Sequence, residues 1–445
     1  MKRDFSEGKV WKLILSQAIP LMLAQLIQLL YNVVDRIYIG HMDTEDSTAL
    51  TGVGLTFPIV TFIIAFAALF GMGGVPLFSI ADGAGDKDRA ERIMGNSCAL
   101  LLIGAAVLTA VGHGLCRPIL FLLGASEDSY VYAFSYLKIY LFGTVFSMLT
   151  TGLNGYISAQ GFPRTGMLTI IIGAVLNMIL DPVFIFVLGL GVSGAAAATV
   201  ISQAVSALWI MRFLTSKAAL RLRAGNIRLD KKLTGEICRL GTSNFVMQGT
   251  ACFVQAACNS TLQTYGGDLY VGIMTVLNSV RDVFMLPISG LVSGAQPVMG
   301  HNYGAGKPQR VREAIRFNTL AGAVYTVSAW LLIVIFPTFW FRIFSDDPAM
   351  MAPGEEAIKL YFFGFVFMSF QFAGQSTFQA LGDAKHAIFF SLLRKAIIVI
   401  PLTLLLPRLG MGVKGVFIAE PVSNCVGGLA CYVTMRRTVY KKLDR

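Results

Sequence analysis

The chain has 445 residues, of which 14% are charged and 55% apolar, and its mean hydropathy is +0.67. Soluble chains carry about 25% charged residues, so a water-soluble multidomain protein is excluded: the charges are too few to cover its surface. The net charge of +11 leaves a nucleic acid or a membrane as partner, and the position of the basic residues decides between them.

In chain order, runs of about 20 mainly apolar residues predict twelve spans, at 13–39, 51–80, 95–123, 130–158, 165–188, 192–214, 237–262, 271–299, 315–344, 357–381, 387–407 and 411–435. The first run has full span length and no small-residue cleavage site after a short core, which predicts a retained helix rather than a signal peptide. With the N-terminus placed inside, 26 of the 36 Lys and Arg fall on inner segments, while the outer connections 40–50, 124–129 and 263–270 carry none. That bias predicts that both termini are cytoplasmic, and the expected location is the plasma membrane of a prokaryote. Basic residues scattered over separate short loops, without interleaved aromatics, do not make a nucleic-acid surface. The seven Cys form no CxxC pattern and the four His show no ligand spacing, so no metal, disulfide or cofactor is expected. Neither a P-loop nor a nucleophile–base spacing is present, which argues against an ATPase or any other enzyme.

An offset of 221 residues superimposes the two halves. Gly73, Pro76, Gly83, Gly85 and Arg89 fall on Gly294, Pro297, Gly304, Gly306 and Arg310, and Gly161, Gly189 and Gly191 fall on Gly382, Gly410 and Gly412. The predicted fold is all-α, with two six-helix lobes: 1–214, a basic cytoplasmic linker at 215–236, and 237–445. An even number of spans per copy makes the repeat parallel, and facing lobes suit alternating access.

An acid at bilayer depth costs roughly 2.5–3.5 kcal/mol and needs an explanation. Asp35, Asp181, Asp282 and Glu420 are the candidates. Asp181 lies four residues after Asn177, on the same helix face, and Pro182 removes a backbone donor and loosens the Met178 carbonyl. That set can hold a proton or a small cation, with Thr199 at comparable depth on the sixth span. Gln25, Gln28, Asn32 and Asp35 share a spacing on the first span, although Asp35 could instead pair with Arg36. Asp282 reads as a local ion pair with Arg281. Glu420, the repeat counterpart of Thr199, reads either as a buried partner of Arg394 or Lys395 or as a second ionisable site. For organic cations, Gln248, Gln255, Gln371, Gln375 and Met274 form a candidate lining, since aromatic and Met-rich surroundings adapt to varied shapes.

The Tyr31-Asn-Val-Val-Asp35-Arg-Ile-Tyr-Ile-Gly40 segment resembles the multidrug and toxic compound extrusion family. So do Gly83-Ala-Gly85, Asn302-Tyr-Gly-Ala-Gly306 and Asn177-Met-Ile-Leu-Asp181-Pro182. The resemblance spans essentially the whole chain. It implies a monomeric secondary exporter of mainly cationic, aromatic drugs, driven by inward protons or sodium ions. In the branch that resembles DNA-damage-inducible protein F, the coupling network would be Gln28, Asp35, Tyr136, Asn177, Asp181 and Thr199. Asn154 and Gln203 would line the drug cavity and Pro20 would be a hinge. Another branch carries acids on the seventh and tenth spans; here those spans carry amides, which points coupling to the first lobe. A lipid-linked oligosaccharide flippase is the alternative reading.

Overall fold

The structure, a computed structural model, describes residues 4–40, 52–123, 125–344 and 348–444, without the side chains of Asn32, Val33, Arg36, Ile37, Ile39 and Gly40. The outer connection at 40–50 therefore lies almost wholly outside the described residues. The described chain is helical throughout, as apolar segments in lipid must be, because helices satisfy their own backbone groups. Ten of its helical segments are long and apolar enough to cross a membrane, and the bent pair Glu127–Phe142 and Thr144–Ala159 makes an eleventh. Lys231–Gly304 runs for 74 residues but breaks at Gly267, whose φ of 66° is not helical. It therefore holds two spans, and the described residues reach the twelve expected from the sequence.

Large side chains stand outward where water would punish them. Leu122, Val187, Phe253 and Leu409 are each at least 70% exposed, a lipid-facing surface in a membrane protein and an aggregation patch in any other setting.

The chain divides into two compact units, one containing Ile19–Phe245 and the other Phe5–Ala18 with Val246–Arg445. The core of the first is built on Phe78, Ile93, Met94, Leu101, Met148 and Tyr156. Its second and fourth spans touch through glycines: a Cβ on Gly71 would stand 2.2 Å from the Gly152 Cα. Small residues at such crossings let backbones approach, which in lipid replaces the missing hydrophobic drive. The core of the second unit is built on Leu262, Ile273, Leu277, Phe341, Phe362 and Phe417.

Repeat glycines share a backbone state. Gly85, Gly161, Gly189 and Gly191 all have positive φ, and so do their counterparts Gly306, Gly382, Gly410 and Gly412. Side chains rarely adopt that region, so the duplicated glycines mark the same turns in both copies.

The first helix, Val10–Gly40, contains Pro20, and the division between units falls between Ala18 and Ile19. The segment just before this helix is held in the second unit by a clamp. Arg310 donates to the carbonyls of Phe5, Glu7 and Gly8 at 2.9–3.2 Å, Lys307 to that of Ser6 at 3.1 Å, and Asn302 to that of Phe5 at 3.0 Å. In the first unit the linker is tied down in a similar manner. Asn96 donates to the Arg228 carbonyl, and Glu91 accepts from the Arg221 N–H and pairs with Arg223.

Candidate functional site

Pro182 shapes the fifth span locally. Lacking an N–H, it leaves the preceding turn one donor short, and the helix widens into π-helical turns over Val183–Val187. Such bulges recur at functional sites. Immediately before it, Asn177 Nδ2 donates to Asp181 Oδ1 at 3.0 Å and reaches Thr199 Oγ1 on the sixth span at 3.4 Å. Thr199 hands its own proton to the Ala195 carbonyl at 3.0 Å, so its oxygen faces the cluster as an acceptor. Asp181 is fully buried, and Asn177, Thr199 and Tyr136 are nearly so.

Two tyrosines converge on that oxygen. Tyr31 and Tyr136 both approach the Thr199 hydroxyl, and the carboxyl of Asp35 meets that of Asp181. Tyr140 stacks on Tyr136 with ring centroids 5.9 Å apart, and its hydroxyl bonds Ser147 at 3.4 Å and reaches Gln203. Two carboxyls, three phenols, an amide and a hydroxyl thus share one buried pocket within the first unit. The Asn177 Oδ1 is buried without a partner among the described residues. An incoming cation would find that acceptor beside the carboxylates, and a proton could bridge Asp35 and Asp181. This set of oxygens fits either.

Other predicted residues are placed as follows. Gln28 is exposed, and the side chains of Asn32 and Arg36 lie outside the described residues. Asn154 Oδ1 and Gln203 Oε1 are buried and unpartnered among the described residues, and Asn154 abuts Gly166. In the second unit Gln248 is half-buried, while Gln371 and Gln375 are buried. Gln375 donates to the Ala387 carbonyl at 2.9 Å and to Ser391 at 3.0 Å, which commits its amide to helix packing. Gln255 and Met274 line a cavity that Glu420 also reaches. Glu420 pairs with Lys395 at 2.7 Å and lies 3.9 Å from Arg394, whereas Asp282 pairs with Arg281 at 3.2 Å.

Tyr31 and Tyr140 are the members of the first pocket that the sequence reading did not single out. Spacing could have found them, since Tyr31 lies one turn before Asp35 and Tyr140 one turn after Tyr136.

A model of the MatE family matches residues 20–183 and 245–405, well over half of the chain. The chain belongs to the MatE family. Membership makes it a membrane transporter and not an enzyme. Among curated relatives, the multidrug export protein MepA of Staphylococcus haemolyticus (strain JCSC1435) is 26% identical over 443 residues, covering 98% of this chain and 97% of that protein. MepA of Staphylococcus aureus (strain N315) is 25% identical over 442 residues, covering 99% and 96%. A crystal structure of MATE in complex with MaL6 superimposes with a TM-score of 0.92 at 24% identity, covering 99% of this chain and 98% of that one. A MOP superfamily transporter from Pyrococcus furiosus gives 0.92 at 23% identity, again covering 99% and 98%. These likenesses establish the all-helical MATE fold.

Proposed function

We propose that this MatE protein is a secondary multidrug exporter, exchanging organic, mainly cationic and aromatic compounds for inward protons or sodium ions by alternating access. The observation that carries the reading is the buried first-unit pocket, in which Asp35 and Asp181 meet beside Asn177, Thr199, Tyr136 and Tyr31. Two carboxyls in contact within a bilayer are a standing electrostatic cost unless a proton or cation is shared between them. That need gives an inward-moving ion its binding energy. The multidrug export activity named for the MepA relatives supports the substrate side.

Ion binding drives export only if it favours one conformation over another. Pro20 supplies the hinge, since it interrupts the ladder of a helix whose two parts belong to different compact units. Asn154 and Gln203 line the drug path of the first lobe, and Gln248, Gln255, Met274, Gln371 and Gln375 that of the second. The acids of the first and fifth spans, with none on the seventh or tenth, support the branch that resembles DNA-damage-inducible protein F. The protein acts as a monomer in the plasma membrane, with both termini in the cytoplasm.

The deciding experiment is efflux of a fluorescent organic cation from proteoliposomes under proton and sodium gradients imposed separately. The wild type exports against at least one gradient, and Asp181→Asn, correctly inserted, does not. Undiminished gradient-driven export by that variant overturns the assignment.

The flippase reading is weaker on charge. The basic cluster of the second unit, Arg281, Arg394 and Lys395, faces Glu420 and Asp282 and keeps one surplus positive charge. A lipid pyrophosphate headgroup needs more than that.

A further inference from the structure

The second unit buries charge that the coupling reading does not use. Lys395 Nζ donates to both oxygens of Glu420, at 2.7 and 3.0 Å. Arg394 Nη1 donates to Asn424 Oδ1 at 3.0 Å and lies 3.9 Å from Glu420. Arg281 donates through Nη1 to the Tyr361 hydroxyl at 2.8 Å and through Nη2 to Asp282 at 3.2 Å, and that carboxylate is 61% exposed. Three cations therefore face two carboxylates, one of them solvated, in a region where each charge costs roughly 2.5–3.5 kcal/mol.

A cavity of about 20 Å³ opens beside Arg281, bounded by Tyr361, Asn278, Gln255 and Glu420 on its polar side. One water needs roughly 10–15 Å³, so the space suits one small occupant. Its lining is rich in donors. Gln255 Oε1 already accepts from Asn278 Nδ2 at 3.0 Å, and Asn278 Oδ1 from the Tyr361 hydroxyl at 3.3 Å. Glu420 has both oxygens taken by Lys395. Gln255 Nε2 donates to Asn259 Oδ1 at 2.9 Å, and beyond these bonds Arg281 Nη1, Asn278 Nδ2 and Gln255 Nε2 each keep one further N–H in the lining.

The repeat sharpens the contrast. At the 221-residue offset Tyr361 matches Tyr140 and Glu420 matches Thr199, so this cavity borders the positions that in the first copy border the acidic pocket. Arg394 and Lys395 stand where the first copy has Gly173 and Ala174, and Asp181 is replaced by Leu402. Duplication has left the same place in two copies with opposite polarity.

We propose that the second-unit cavity binds one monovalent anion, either a halide-sized ion or a single carboxylate, with Arg281 as its principal partner. A cation there would add to the surplus charge, and a water would leave it standing. A phosphate or pyrophosphate overshoots the charge. The proposal rests on no part of the coupling reading and survives or falls separately.

The test uses full-length purified protein in detergent, with sulfate as the reference salt at constant ionic strength. Chloride, and separately acetate, raises the Tm of the wild type along a saturating curve. Arg281→Gln weakens that response by about tenfold or more, as loss of a charged hydrogen bond requires, and Arg281→Lys restores part of it. Asn278→Asp, which supplies a fixed carboxylate, raises the Tm without chloride and abolishes the chloride response. An unsaturating wild-type response, or the same curve in wild type, Arg281→Gln and Asn278→Asp, overturns the proposal. Two arms identify the source of the anion. In proteoliposomes a fluorescent carboxylic acid and its methyl ester are compared. Preference for the acid, with inhibition by chloride, marks the carboxylate of a transported compound. Equal export of both, alongside saturable chloride binding, marks an inorganic ion.

Discussion

Thr199 shows how one hydroxyl can carry a pocket. Its proton is committed to the Ala195 carbonyl, so its oxygen accepts from Asn177 while Tyr31 and Tyr136 close on it. Thr199→Val keeps the shape and removes that acceptor, leaving buried donors unsatisfied at about 1–3 kcal/mol. The expected result is a lower Tm in detergent and slower gradient-driven efflux, with insertion unchanged; an unaltered Tm removes Thr199 from the network. Asp230, in the linker, offers a different residue-scale test because it lies outside the spans. Its carboxylate caps the seventh span, accepting from the N–H groups of Leu233 and Lys232 at 3.2 and 2.9 Å, and these bonds hold its pKa below the usual carboxylate value. A depressed folded pKa stabilises above the unfolded pKa, about 3.9 for Asp, and the effect fades as pH falls through the folded value. The Tm gap between wild type and Asp230→Ala should be open at neutral pH and closed in acid. A gap that widens on acidification contradicts the cap.

At the scale of elements, the sequence was most legible where chemistry is local. The four-residue step from Asn177 to Asp181 reads directly as one helix face, and a 3.0 Å bond joins them. Offset glycines read as a duplication, and their shared positive φ is its geometric trace. What sequence could not supply was partner choice across helices. Nothing in the spacing says that Tyr31 reaches Thr199, that Gln375 turns to Ser391, or that Lys395 rather than Arg394 takes both Glu420 oxygens. Helix rotation settles those contacts, and it is set by packing such as the Gly71–Gly152 crossing. A bulkier side chain at Gly71 meets backbone at 2.2 Å, so Gly71→Val should cost about 1–3 kcal/mol by overpacking, seen as a lower Tm and less inserted protein. The Arg310 clamp makes a further prediction. Arg310→Ala releases the carbonyls of Glu7 and Gly8 and leaves that of Phe5 to Asn302 alone, and should raise amide exchange there while sparing the first-unit pocket. Equal protection in wild type and variant means the clamp adds nothing to the order of that segment.

Across the whole molecule, the proposed exchange of ion for drug is a statement about coupled equilibria. If an ion at Asp35 and Asp181 favours the state that releases the drug, each ligand must weaken the other by one common factor. Couplings of this kind usually amount to about 5–150-fold, and a smaller factor leaves most of the population unmoved. Two titrations on the purified protein measure it: affinity for a fluorescent organic cation with rising sodium or falling pH, then affinity for the ion with rising drug. The two factors should agree, and Asp181→Asn should bring both to unity, because that substitution removes a charge and keeps the Asn177 contact in reach. Direct competition for one carboxylate and coupling through the bend at Pro20 both obey this equality, but they part under Pro20→Ala. Competition survives the loss of the hinge; conformational coupling falls towards unity. An ion that tightens drug binding in the wild type reverses the sign and excludes antiport through this pocket.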